Sequence, residues 1–144
     1  MSTAICTVGF GTDEYQQIKQ LRQDVLRTPI GLVLSEKDVA GEETQTHIAA
    51  IEHGQVVGSV ILKPLEQDVM KLRQMAVAAS HQGRGLGAKL VRFAEEEARS
   101  LGFAIIECNA RITAQGFYEK LGWRTTGETF EEVGLPTIRM NKKL

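Results

Sequence analysis

Several features that would settle a function quickly are missing from this 144-residue chain. Cysteine is scarce: Cys6 and Cys108 stand nearly the whole chain apart, with no CxxC pair and no histidine at metal-ligand spacing. They read as two small apolar side chains of a core rather than a disulfide framework, and no metal is expected. Charge of one sign is missing too, since 17 Lys and Arg face 18 Asp and Glu for a formal net charge of −1. That argues against nucleic acid as a partner and against an acidic tail. No apolar run approaches the roughly 20 residues that cross a bilayer. The opening MSTAICTVGF has neither a charged n-region nor a long apolar stretch, so no secretory leader is expected and the protein is expected in the cytoplasm. Proline occurs only three times, and no linker, repeat or low-complexity tract interrupts the chain. One domain, residues 4–144, is therefore expected, and a chain this long buries roughly 68–70% of its unfolded surface.

What is present alternates strand and helix signals. Ala4 to Phe10 reads as a strand, then Asp13 to Arg27 as a helix with Tyr15, Ile18, Leu21 and Val25 on one stripe. Residues 31–45 read as irregular and polar, with room for one helical turn. Strands follow over Thr46 to Glu52 and Val56 to Leu62, joined by a His53-Gly54 turn, and over Met70 to Val77. A strong amphipathic helix spans Leu86 to Ser100, carrying Leu90, Phe93, Ala94 and then Leu101 on its stripe, and Gly102 ends it. A strand over Ala104 to Asn109, a helix over Thr113 to Lys120 and strands near Trp123 to Phe130 and Thr137 to Asn141 complete the order. The strand–helix–strand unit around residues 70–109 implies one parallel pair, and the hairpins on either side imply antiparallel ones. The expectation is an α/β (α+β) chain with a mixed, mostly antiparallel sheet and helices on its faces.

The most informative stretch is HQGRGLGAKL, residues 81–90, between the third of those strands and the amphipathic helix. Glycine costs backbone entropy and is kept where the chain turns tightly or approaches something closely. Gly83, Gly85 and Gly87 within five residues, with Arg84 among them and a helix starting at once, point to an anion site built from backbone N–H groups and the helix dipole. A P-loop is excluded, because Leu90 follows Lys89 where a metal-binding hydroxyl is required. A dinucleotide fingerprint matches Gly83, Gly85 and Ala88, with Glu107 as the ribose acid. Against it, Ala78 to Gln82 separate the strand from the first glycine, and the motif lies mid-chain instead of opening a series of βαβ units.

Read as [RQ]-x-x-G-x-[GA], the same loop gives Gln82, Gly85 and Gly87, and MAVAASHQGRGLGAKLV then resembles the coenzyme A pyrophosphate loop of the GNAT superfamily of acyl-CoA-dependent N-acyltransferases. ARITAQGFYEKLGWRTTGETFEEVGLPTIRM resembles the C-terminal half of one subgroup of small GNAT proteins, and LRQDVLRTPIGL resembles its N-terminal region. The likeness runs over essentially the whole chain. It implies the GNAT fold, with the sheet splayed between the fourth and fifth strands. It also implies acetyl-CoA as donor and a primary amine, small-molecule or peptide, as acceptor. A homodimer is compatible with it. Backbone groups from Gln82 through Gly83, Arg84, Gly85, Leu86 and Gly87 to Ala88 would cap the pyrophosphate, with Arg84 adding a charged contact. Backbone groups of Met75 and Val77 would pair with the pantetheine arm, as an added strand does. Phe117 joins the cofactor-binding set.

The resemblance makes Tyr118 the proton donor to the departing thiolate. Periodicity alone would leave it a packed core tyrosine on the stripe Ala114, Phe117, Tyr118, Leu121. A phenol of ordinary pKa near 10 is protonated at neutral pH and can act as an acid. The base has no such signal. Relatives often carry a Glu on the strand before the loop, whereas this chain reads Lys71-Leu72-Arg73-Gln74. Glu52, Glu107, His47 and His53 remain, and none is selected. Neutralising a lysine-type amine at pH 7 costs about 4.6 kcal/mol, against about 1 kcal/mol for an α-amine. The subgroup often has His after an Ile-Pro dipeptide, but here Leu135-Pro136 is followed by Thr137, so the relatives' acceptor does not carry over. Two other readings stand beside the transferase: a GNAT-fold module that binds acyl-CoA without catalysis, and a small NAD-type nucleotide binder.

Overall fold

The structure, a computed structural model, describes residues 3–144; Met1 and Ser2, where the leader reading begins, lie outside the described residues. Seven strands form one sheet in the order β1-β2-β3-β4-β5-β7-β6. They are β1 (Ala4–Val8), β2 (Thr46–Glu52), β3 (Gln55–Pro64), β4 (Val69–Val77), β5 (Ile105–Arg111), β6 (Arg124–Glu132) and β7 (Leu135–Lys143). Every neighbouring pair is antiparallel except β4 with β5. His53 and Gly54 both take positive φ in the β2–β3 turn, at 51° and 74°, as a two-residue hairpin requires. This is the mixed sheet expected from the order of elements. No helix among the described residues is long and apolar enough to cross a membrane.

Helices cover both faces. Helix α1 (Asp13–Arg22) is capped by the Thr12 side chain, which accepts from the Tyr15 N–H, and buries Tyr15, Ile18 and Leu21. The helical path continues to Arg27, but as a π-helix over Gln23–Arg27, followed by a 3₁₀ turn at Thr28–Ile30. The polar segment after it contains a four-residue helix, α2 (Glu36–Val39), opened by a capping box between Ser35 and Asp38. On the opposite face α3 (Leu86–Ser100) buries Leu86, Leu90, Val91, Ala94 and Ala98 against Ile48, Ala50, Val60 and Leu62 of the sheet. Leu101, expected on that stripe, is the C-cap residue and is 52% exposed, because the chain has already left the helix there.

Helix α4 (Gln115–Lys120) is held from behind. The Trp123 indole N–H donates to Glu95 Oε2 at 3.0 Å, and Lys142 Nζ bonds both Glu95 Oε1 at 2.9 Å and the Leu121 carbonyl at 2.8 Å. These bonds tie α3, β7 and the turn after α4 together. They fix the two aromatic residues that α4 presents to the site.

Candidate functional site

The site begins where the sheet comes apart. Strand β4 pairs with β5 only from Val69–Ile105 to Lys71–Glu107. Beyond that, Leu72–Val77 and Cys108–Arg111 have no ladder partners between them. The cause lies in β4 itself. Opposite Ser59 and Ile61 of β3, it carries an extra residue between Arg73 and Ala76, and Gln74 takes φ 56°. A bulge of this kind bends its strand and increases the local twist, so β4 swings away from β5. A non-glycine residue in the left-handed region costs about 1–3 kcal/mol, and such strain persists where surrounding packing enforces it.

Two cavities open along the splay and share one wall residue, Met75. The first, of about 480 Å³, is lined by Met75, Val77, His81, Gln82, Gly83, Gly85, Leu86, Gly87, Ala88 and Phe117. Of the cofactor residues expected from sequence, Arg84 alone is not in that lining; it is exposed and makes no side-chain hydrogen bond or ion pair among the described residues. His81 is an addition that the sequence did not suggest. Its Nε2 lies 3.1 Å from Glu52 Oε1, which fixes the start of the loop to the end of β2. The Gln82 side chain donates to the Val77 carbonyl at 2.9 Å, tying the loop to the end of β4.

The loop suits an anion. Gly85 is the N-cap of α3 at φ 79°, and no side chain caps the helix. The first-turn N–H groups therefore lack intrahelical partners and face the cavity at the positive end of a 15-residue helix dipole. A diphosphate on a long amide-bearing arm fits this arrangement: the phosphates at the helix end, the arm along the unpaired stretch of β4. Gly87 lies against the aromatic wall of the cavity. A Cβ there would lie 3.4 Å from the Phe117 ring and 3.8 Å from the Met75 methyl, so the helix start and the aromatic wall are in close contact.

The second cavity, of about 330 Å³, lies on the β5 side and includes Arg27, Arg73, Gln74, Cys108, Arg111, Tyr118, Glu132 and Thr137 in its wall. Tyr118 is 6% exposed, and its ring packs edge-on to Phe117 at 5.0 Å between centroids. Two consecutive residues of α4 thus serve the two cavities, one each. Burial raises the Tyr118 pKa well above the phenol range, and the neighbouring Cys108 adds to the rise. Cys108 is pushed up to about 12, chiefly by burial. Both groups keep their protons at neutral pH.

Behind Arg73 lies an ionic cluster that sequence reading missed. Glu42, fully buried, accepts from Arg22 Nη1 and Nη2 at 2.8 and 2.9 Å, from the Tyr15 hydroxyl at 2.7 Å and from Arg73 Nη1 at 2.9 Å. Burial pushes its carboxyl upward, but the hydrogen bonds from Arg22, Tyr15 and Arg73 outweigh that and hold it at about 2. His47 is buried in the same region, with Nε2 2.8 Å from the Glu42 carbonyl. Arg22 had a signal: four residues after Ile18, it falls on the apolar stripe of α1.

None of the four candidate bases lines the second cavity. Glu52 is occupied by His81 and Thr3, His47 belongs to the buried cluster, and His53 sits in the hairpin turn. Glu107 faces Arg139 at 4.0 Å on β5 and lines neither cavity, which leaves the dinucleotide reading without its ribose acid at the glycine loop. Glu132 is the acid in the wall of the second cavity; its Oε2 accepts from Asn109 Nδ2 at 3.0 Å.

Comparison with known proteins gives a family. Residues 15–144 match the family model described as the acetyltransferase (GNAT) domain. A candidate acetyltransferase of Bacillus subtilis (strain 168) is 30% identical over 115 residues, covering 80% of this chain and 77% of that protein. The crystal structure of a candidate N-acetyltransferase from Lactobacillus plantarum superposes with a TM-score of 0.89 at 26% identity, over 100% of this chain and 99% of that one. A Bacillus subtilis acetyltransferase, crystallised in complex with CoA, superposes with a TM-score of 0.78 at 22% identity over 99% of both chains, and so shares the fold.

Proposed function

The chain belongs to the GNAT acetyltransferase family and is an N-acetyltransferase, and from that premise we propose that it moves the acetyl group of acetyl-CoA directly to a primary amine, with Tyr118 as general acid. The observation that carries this reading is the junction at Met75. One cavity has an uncapped helix start for phosphates, the other has a protonated tyrosine, and the two meet at the splay. The relative crystallised with CoA supports coenzyme A as the occupant of the first.

When bound, acetyl-CoA supplies a thioester activated toward nucleophiles. The chain would hold its diphosphate on the N–H groups of Gln82 to Ala88 and its amide-bearing arm along Met75 and Val77. An amine entering from the second cavity attacks the thioester carbonyl carbon. A C–N bond forms, the C–S bond breaks, and its electron pair goes to sulfur. Tyr118 gives its hydroxyl proton to that sulfur, the nitrogen releases its own to water, and Tyr118 regains a proton from water before the next turnover. An α-amine suits a site with no dedicated base, because it needs only about 1 kcal/mol to be neutral at pH 7. Oriented reactants held this way react far faster than free ones.

Two measurements test the reading. Calorimetric titration should show acetyl-CoA binding, and thiol release against a panel of amines should show turnover. Binding without turnover on any amine would leave a binding module and remove the transferase reaction. Gly87→Val should raise the acetyl-CoA dissociation constant at least tenfold in a folded protein, since its Cβ would already touch Phe117 and Met75 and its two methyls would take up cavity space. An unchanged constant would count against the cavity as the coenzyme site.

A further inference from the structure

We propose that the acceptor is an amine that also carries a carboxylate, of amino-acid size, and that Arg27 receives that carboxylate; this rests on the transferase reading above. The argument starts from two arginines on one helical run. Arg22 is saturated: both its terminal nitrogens bond Glu42 at 2.8 and 2.9 Å. Arg27 is buried nearly as deeply, with 9% of its side chain exposed, and has almost nothing. Its nearest carboxylate oxygen, Asp38 Oδ1, is 3.9 Å from Nη2, beyond hydrogen-bond distance. Among the described residues its side chain makes one hydrogen bond, to the Leu26 carbonyl at 3.4 Å. Asp38 divides its carboxylate, with Oδ2 accepting from the Ser35 N–H and hydroxyl and Oδ1 alone facing Arg27.

A nearly buried guanidinium with one long ion pair keeps donors to spare, and in folded proteins buried charges are paired or bind ligand. Arg27 lines the second cavity, where an anion would complete it. Arg27 closes the π-helical turn over Gln23–Arg27, and such turns recur at functional sites. The rest of the wall agrees. The Arg111 side chain makes no hydrogen bond or ion pair among the described residues, while Arg73 is spent on Glu42, Gln45 and the Asp38 carbonyl. Three arginines face one acid, Glu132.

The same wall offers a place for the amine. Gln74 Oε1 is buried and has no hydrogen-bond partner, and Gln74 adjoins Met75, where the two cavities meet. An amine N–H donating to that oxygen would sit at the junction while its carboxylate reaches Arg27. The cavity, at about 330 Å³, is at the small end of ligand sites, which suits an amino acid better than a folded partner.

The test compares amino acids with their own carboxamides as acceptors, by thiol release at saturating acetyl-CoA. Each pair is assayed at equal concentration of neutral amine, because the carboxamide is the weaker base. The expected result is kcat/KM at least tenfold higher for the acids on the best scaffold. Arg27→Met should cost the acids at least tenfold more than the carboxamides, mainly through KM, and Arg27→Lys should restore part of the difference. An unaltered acetyl-CoA dissociation constant in Arg27→Met certifies that the variant is folded. Equal or better use of carboxamides, or equal losses for both in Arg27→Met, would overturn the inference while leaving the transferase reading intact. Turnover of neither class, with acetyl-CoA bound, would overturn the inference, and the wider amine panel would then decide the transferase reading.

Discussion

Tyr118→Phe is expected to lower kcat by about 10²–10⁴-fold while leaving the acetyl-CoA dissociation constant nearly unchanged. The substitution removes one hydroxyl and keeps the ring that packs edge-on to Phe117 and lies 5.1 Å from the Trp123 ring. The hydroxyl stays protonated because burial lifts it, so the donor form is always present. A phenol held so far above a thiol, ordinarily about 8.5, gives up its proton only against strong charge. Its help is therefore greatest when negative charge on sulfur is highest, as the C–S bond breaks. A thioester with a more acidic thiol concentrates less basicity on sulfur, and the Tyr118→Phe deficit should shrink with it. The measurement is kcat of both proteins on acetyl-CoA and on an activated acetyl thioester. Parallel rates for the two proteins would rule the donor role out and leave Tyr118 a packing residue.

Glu42→Gln should be strongly destabilising. It leaves Arg22 fully buried without a countercharge and frees Arg73 from its anchor. Breaking one partner of a buried pair typically costs about 3–5 kcal/mol. At about 2–4 °C per kcal/mol for a domain near this size, the melting temperature should fall by on the order of 10 °C. Acid gives a second signature. Glu42 is held at about 2, below its usual 4.5, so the native state favours its charged form. That stability, about 3 kcal/mol by the gap between the two values, is fully present above pH 4.5 and is lost as pH falls toward 2. The wild-type advantage over Glu42→Gln should therefore narrow across that window. A gap that stays constant from pH 6 to pH 3 would show that the Glu42 charge contributes little.

Much of this architecture was legible because it is local. HQGRGLGAKL marks a strand-to-helix turn through its glycines, and Leu86 to Ala98 mark a helix by their period. FYEKLGW added a family likeness that periodicity could not, since Phe117 and Tyr118 lie on an ordinary apolar stripe. The residues that were not legible act over long separations. Glu42 lies in a polar segment with no period, and its partners Tyr15, Arg22 and Arg73 come from one helix before it and one strand after it. Gln74 looks like one more alternating strand residue, although the apolar spacing Met70, Leu72, Met75 already carries the extra residue of the bulge. Arg27 reads as the polar end of a helix. That the run changes to a π-helix before reaching it is decided by packing, and no residue type announces it.

The helix starts differ in one respect. Thr12 closes the first turn of α1, and Ser35 that of α2, but α3 begins at Gly85, like the short α4 at Ala114, with no side chain of its own to do so. Yet α3 is the longest helix described and supplies Leu86, Leu90, Val91 and Ala94 to the core. With the coenzyme bound as proposed, that opening turn gains its missing partners, and the rigidity of that end becomes a function of coenzyme concentration. At 100 times its dissociation constant, a ligand that binds only the folded chain adds about 2.7 kcal/mol to its stability. Amide protons at the start of α3 would exchange quickly in the empty protein and slowly in the loaded one. The cellular level of the acyl donor would then set how long the chain survives proteolysis, apart from any reaction it carries out.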